Sequence, residues 1–177
     1  MKLYAIKELF NMVKQIGKTW LILPLFFFGF ITKSQGEGPM LKPNEIVAHG
    51  VIFTAQSTAK FSEKYSLIDI RPPYWTPSTS EIEYLEEVLN GYLKNSDSKS
   101  SNEISQRLFE YKRQYLGYTD KGSHWVYING FCNAYWKKND SWHSELVVTF
   151  DGGPCFFQVR YNVEKKLFER LEINGEG

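Results

Sequence analysis

The sequence predicts an α+β fold, an antiparallel β-meander of four to five strands packed on one main helix, preceded by a signal peptide. Three observations carry this. A capped amphipathic segment runs from Pro77 to Leu93, closely spaced aromatic and β-branched runs follow it to the C-terminus, and one uncharged apolar run stands near the start.

The apolar run is Trp20 to Ile31, with Lys14 and Lys18 before it and the polar stretch Thr32 to Gly36 after it. That layout is a secretory leader, since the run falls short of the ~20 residues a spanning helix needs and contains Pro24 and Gly29. Small residues at Ser34 and Gly36 suit cleavage after Gly36, and Met12 offers a second start. Residues 1–36 are therefore the expected signal peptide, residues 37–45 a flexible lead-in rich in Pro and Gly, and residues 46–177 a single α+β domain.

Within that domain Ile46–Ala55 and Tyr65–Ile70 have the β-rich apolar character of two strands, and Pro72 and Pro73 end regular structure by removing two backbone donors. Ser78 stands three residues before Glu81, the spacing of a capping box, and Ile82, Leu85, Leu89, Tyr92 and Leu93 then recur every three to four residues. The spacing predicts a helix with one apolar stripe. A polar linker at 95–101 precedes a shorter helix with Ile104, Leu108 and Phe109 inward. Strands are expected at Arg113–Thr119, His124–Cys132, Glu145–Phe150, Cys155–Val163 and Leu167–Asn174, joined by links too short for parallel crossovers. By fold-level analogy this is a cystatin-like or similar helix-on-sheet arrangement.

In that meander Cys132 ends one strand and Cys155 begins another two strands later, which sets them about 20 Å apart. A disulfide needs Cα atoms within about 7 Å, so the expectation is against a bridge despite the oxidising compartment.

Charge narrows the partners. Residues 1–36 hold five of the 21 basic side chains and one acid, leaving 16 basic against 19 acidic in the remainder, and this is no footprint for nucleic acid. Membrane contact is expected only through the leader, which leaves a protein or small molecule as partner. His49, His124 and His143 are scattered, and no nucleophile-base pair or metal-ligand spacing stands out, so no metal and no cofactor are expected. Asp151-Gly152-Gly153 has the composition of a turn, because two glycines supply positive φ.

Two constellations suit recognition. Either face of the His124–Cys132 run suits the core; if Val126 and Ile128 turn to the helix, Trp125, Tyr127 and Asn129 lie on the opposite sheet face, where Gln158 and Arg160 of a later strand can join them, and a covering by the amino-terminal segment is the alternative use of that face. Trp136 and Trp142 flank the longest loop among lysines, either as an exposed contact tip or folded back over the hairpin mouth. Asn139-Asp140-Ser141 matches a glycosylation sequon.

Taken together, Tyr74-Trp75-Thr76-Pro77, the run from Tyr111 to Tyr118, the run from Trp125 to Cys132, the run from Asp151 to Phe157 and the terminal Ile173-Asn174-Gly175-Glu176-Gly177 resemble a family of small uncharacterised exported bacterial proteins. The resemblance implies a compact domain in the periplasm or outside the cell and attaches no activity, ligand or catalytic residue. The expected function is a non-enzymatic exported binding or inhibitor-like module of the bacterial envelope. Two alternatives stand beside it, a small exported enzyme with a site between helix and sheet, where His124 and Asp151 are the available groups, and a structural subunit of an envelope assembly.

Overall fold

The computed structural model describes residues 44–175, so the expected leader, the alternative start and most of the lead-in lie outside the described residues. The strands are β1 (Glu45–Val47), β2 (Gly50–Ile52), β3 (Tyr74–Trp75), β4 (Lys112–Asp120), β5 (Ser123–Phe131), β6 (Phe156–Asn162) and β7 (Leu167–Ile173). The helices are α1 (Ala55–Lys64), α2 (Thr79–Lys94), α3 (Lys99–Gln106) and the single turn α4 (Asn133–Trp136). The sheet order is β1-β2-β4-β5-β6-β7, with β3 paired to the far half of β4. No helix among the described residues is long and apolar enough to cross a membrane.

α2 forms where the capping box places it. The Ser78 hydroxyl accepts from the Glu81 N–H at 3.3 Å, while the Ser78 N–H donates to the Glu81 carboxylate at 2.8 Å. Its Ile82, Leu85, Leu89 and Leu93 are fully buried against Tyr115, Val126, Ile128 and Val159 of the sheet. Each such side chain contributes about 1.5–3 kcal/mol on removal from water, so this stripe holds the helix down. α3 is tied on by the Ser101 hydroxyl, which donates to the Leu93 carbonyl at 2.7 Å. Ile104 and Leu108 turn inward as expected, but Phe109 is 79% exposed, because a short 3-10 turn at Leu108–Glu110 rotates it away.

The sheet is mixed, which corrects the purely antiparallel meander. β2 runs parallel to β4, with Gly50 opposite Arg113, after a crossover through α1, β3, α2 and α3. Only glycine permits that approach, since a Cβ on Gly50 would lie 1.7 Å from the Arg113 carbonyl oxygen. The expected strand Ile46–Ala55 is instead a tight hairpin, β1 turning at Ala48-His49 into β2, and chain direction changes again at Thr54. There the Thr54 hydroxyl accepts from the Ser57 N–H at 3.1 Å and starts α1, which fills the stretch between the two expected strands. Tyr65–Ile70 is likewise no strand. It forms a 3-10 turn at Ser66–Ile68, and Asp69 closes that turn in the left-handed region at φ 39°.

Glu145–Phe150 is not a strand either, and the reason is chemical. The Gln114 side-chain amide donates to the carbonyls of Trp142 and Glu145, both at 2.7 Å, and its oxygen accepts from the Val147 N–H at 2.9 Å. Asn129 donates to the Val147 carbonyl at 2.8 Å. Two buried amides thus satisfy backbone groups that a neighbouring strand would otherwise have to serve.

With that segment lifted out of the sheet, β5 and β6 become direct neighbours, Phe131 opposite Phe156. Cys132 and Cys155 then stand 4.9 Å apart at Cα and are joined by a disulfide, with the Cys132 N–H donating to the Cys155 carbonyl at 2.9 Å. This overturns the expectation against a bridge. The disulfide is compatible with an oxidising compartment.

A second core lies on the other sheet face, where α1, the 66–70 turn and the 142–147 segment bring Phe61, Ile68, Ile70, Trp142 and Val147 onto Leu116, Tyr118, Tyr127 and Phe131. The described residues therefore form three layers. Of the two parities open to β5, the structure takes the one with Val126 and Ile128 toward α2 and Trp125, Tyr127 and Asn129 away from it.

Candidate functional site

The second sheet face is not covered along its whole width. β6 and β7 extend beyond the covering turn and leave a groove floored by two cross-strand rows. Asn129, Gln158 and Glu172 form one row, with the Gln158 amide donating to the Asn129 carbonyl oxygen at 3.3 Å; Tyr127 opposite Arg160 forms the next. The 66–69 turn makes one wall and residues 147–150 the other. Asn129 is buried and Tyr127 only 8% exposed, so these two support the floor while Gln158 and Arg160 reach the opening. Burial pushes the Tyr127 hydroxyl well above its ordinary pKa, and the Glu172 carboxylate adds to that shift.

At one end the groove widens into a cleft of about 660 Å³ where three guanidinium groups meet one carboxylate. Arg160, Arg170 and Arg71 approach the Asp69 carboxylate at 3.5, 3.4 and 3.7 Å. The Arg160 guanidinium lies 5.9 Å above the Tyr118 ring, and its side chain is 13% exposed, so it is held by packing as well as charge. Burial raises the Tyr118 pKa, with Arg160 opposing the rise.

Local backbone geometry builds this convergence. Asp69 at φ 39° and Arg170 at φ 54° are both non-glycine residues in the left-handed region. β7 slips register against β6 between Gln158 and Arg160, and this bulge turns Arg170 toward Asp69. Left-handed non-glycine positions are costly and collect at working sites. Arg71 and Arg170 are 86% and 60% exposed, so their pairs with Asp69 contribute little to stability, and three cations on one carboxylate leave an excess of positive charge facing solvent.

The structure brings Tyr127, Gln158 and Arg160 to this groove and places the other expected residues elsewhere. Trp125 stacks on Tyr118 behind the cleft at a 6.4 Å centroid distance, and its indole N–H has no partner among the described residues. Trp136 and Trp142 line neither groove nor cleft. The Trp136 indole donates to the Glu110 carbonyl at 2.9 Å beside Lys112 and Lys137. Trp142 is 6% exposed, edge-on to Phe131 and stacked on His143, so the loop folds back over the sheet end. Asp69, Arg71 and Arg170 escaped sequence reasoning because Asp69 and Arg170 stand inside runs read as plain strands, Arg71 stands beside two prolines, and no local signal marks the left-handed backbone that brings them together.

A second cavity of about 490 Å³ lies between the β1-β2 hairpin and α2, bounded by Ile46, His49, Ile82, Glu83 and Glu86. Burial lowers the His49 pKa, Arg113 and Lys112 lower it further, and Glu86 opposes them. Glu86 itself is committed to Arg113 and Tyr115, and the His49 ring makes no hydrogen bond to a carboxylate among the described residues. No proton-transfer pair is built there. His124 pairs instead with Glu164 at 2.8 Å on the surface, far in sequence from Asp151 and not bonded to it. Burial acts to raise the Glu164 pKa, but hydrogen bonds from the His124 backbone and ring outweigh it and the net shift is downward. Among the described residues no group of three or more His, Cys, Asp or Glu could hold a metal ion. Family models, curated proteins and solved structures yield no match to this chain.

Proposed function

We propose that the protein is a non-enzymatic, exported binding module of the bacterial envelope that captures an anionic group, a carboxylate or phosphate, in the Asp69 cleft. The observation that carries this is the convergence of Arg71, Arg160 and Arg170 on one carboxylate in an open cavity beside a buried aromatic ring. Guanidinium groups present planar donor forks that match such oxyanions, and two of the three remain accessible. Export is supported by the basic-then-apolar prefix of the sequence and by the Cys132–Cys155 disulfide.

The test is a titration of the full chain with inorganic phosphate at low ionic strength, followed by backbone amide NMR. Shifts are expected at Asp69, Arg71, the 118–122 stretch, Arg160 and Arg170. They should fade as salt rises and disappear in Arg160→Ala combined with Arg170→Gly, where glycine suits the left-handed backbone. Scattered shifts that survive the double substitution would overturn the reading.

A further inference from the structure

Resting on that anion-binding reading, we infer that the natural occupant is an extended peptide whose free C-terminal carboxylate sits in the Asp69 cleft while its preceding residues run along the groove. Continuity is the first argument. Asp69, Arg160 and Arg170 border both the cleft and a narrow waist beside it. Leu67, Gln158 and Glu172 border both that waist and the basin reaching Phe150. On its other side the cleft is lined by Pro72, Pro73 and the Asp120–Gly122 turn. A continuous path thus leads from the cleft through the waist to the basin, with the arginines at its cleft end.

Charge is the second argument. The cationic cluster is confined to one end, and Glu172 places a carboxylate in the middle of the path. An occupant that is anionic throughout is disfavoured there, whereas a peptide negative only at its terminus fits.

Chemistry of the walls is the third. Leu67 and Phe150 stand on opposite walls, 64% and 77% exposed, and offer apolar contact to alternating side chains. On the 147–150 wall the main-chain N–H and C=O groups of Val148 and Phe150 have no hydrogen-bond partner among the described residues. The Gln158 side chain adds an amide on the floor. Free backbone groups and amides suit a peptide backbone, which carries a donor and an acceptor at each residue; an alkyl chain would leave them unpaired.

The experiment offers the immobilised full chain two random-sequence heptapeptide pools, both N-terminally acetylated, one with free α-carboxylates and one C-terminally amidated, and quantifies retained peptides by mass spectrometry. Retention of the carboxylate pool should exceed that of the amide pool by at least about tenfold, the scale of a lost charge-assisted pair. It should fall to the amide level in Arg160→Ala with Arg170→Gly. It should also fall severalfold in Leu67→Asp with Phe150→Asp, two exposed positions whose change leaves the amide NMR dispersion intact. Equal retention of both pools, or no retention of either while phosphate still shifts the cleft, overturns this inference and leaves the anion-binding reading standing. Absence of phosphate binding as well removes both. Carboxylate-selective retention that ignores the Leu67 and Phe150 changes overturns the groove as the path.

Discussion

Replacing Arg113 by Met is expected to destabilise the fold by about 3–5 kcal/mol, the range for stripping one partner from a buried ion pair. Arg113 is 1% exposed although it is a full cation, and each of its three guanidinium nitrogens has a partner. Its Nε donates to Glu86 at 2.8 Å, its Nη2 also bonds that carboxylate, and its Nη1 serves the carbonyls of Leu108 and Tyr111 at 3.1 and 3.2 Å. The Tyr115 hydroxyl donates to Glu86 at 2.9 Å. Burial alone would lower the guanidinium pKa, but Glu86 and Tyr115 outweigh it and the net direction is upward. One side chain therefore binds α2, the turn after α3 and the start of β4. Methionine keeps much of the volume, but it strips the counter-charge from the Glu86 carboxylate, leaving it only the Tyr115 hydroxyl, and removes the donor to the Tyr111 carbonyl. Urea unfolding of the oxidised protein measures the loss, and Arg113→Met with Glu86→Leu should recover most of it, because the pair's desolvation cost disappears with both charges. A loss under about 1 kcal/mol in the single variant would show that the pair is not the tie described.

Gln114→Leu is expected to cost about 2–4 kcal/mol and to act on one part of the molecule. Its amide answers Trp142, Glu145, Val147 and Asn129, and leucine answers none of them, so the buried backbone of the 142–147 segment loses its partners. Hydrogen exchange of the Val147 amide should accelerate far more than exchange of the central β5 amides, and Trp142 should become accessible to a fluorescence quencher. Uniform acceleration across the sheet would mean that Gln114 is an ordinary core residue. Residues 147–150 form a wall of the groove, so this variant should also weaken whatever the groove holds.

These two side chains also explain what the sequence conceals. Ser78 with Glu81 and the stripe from Ile82 to Leu93 announce α2, because a cap and a period are local properties. The alternation of β5 is legible too, but not which of its faces meets α2, because Val126 and Ile128 on one side and Trp125 and Tyr127 on the other could each pack against a helix. Glu145–Phe150 carries the composition of a strand, yet its hydrogen bonds go to Gln114 and Asn129, more than a dozen residues away in the chain. Removing that one strand makes β5 and β6 neighbours and brings Cys132 to Cys155, so a single misplaced element accounts for the bridge that sequence spacing opposed. α1 has Thr58 and Phe61 as its buried residues and shows no stripe. The arginine cluster was out of reach for a different reason. It joins a left-handed cap at Asp69 to a bulge at Arg170, 101 residues later, and neither distortion has a marker such as glycine.

The cleft is tested most directly through the group that now occupies its arginines. Asp69→Asn keeps the side-chain shape and tolerates φ 39°, since asparagine adopts the left-handed region readily, but it withdraws the competing carboxylate. Phosphate affinity measured by the same amide shifts should then rise roughly threefold to tenfold, as the arginines no longer have an internal anion to satisfy. Unchanged or weaker binding would mean that Asp69 and the three arginines are a surface ornament of the fold and not a place prepared for an outside anion.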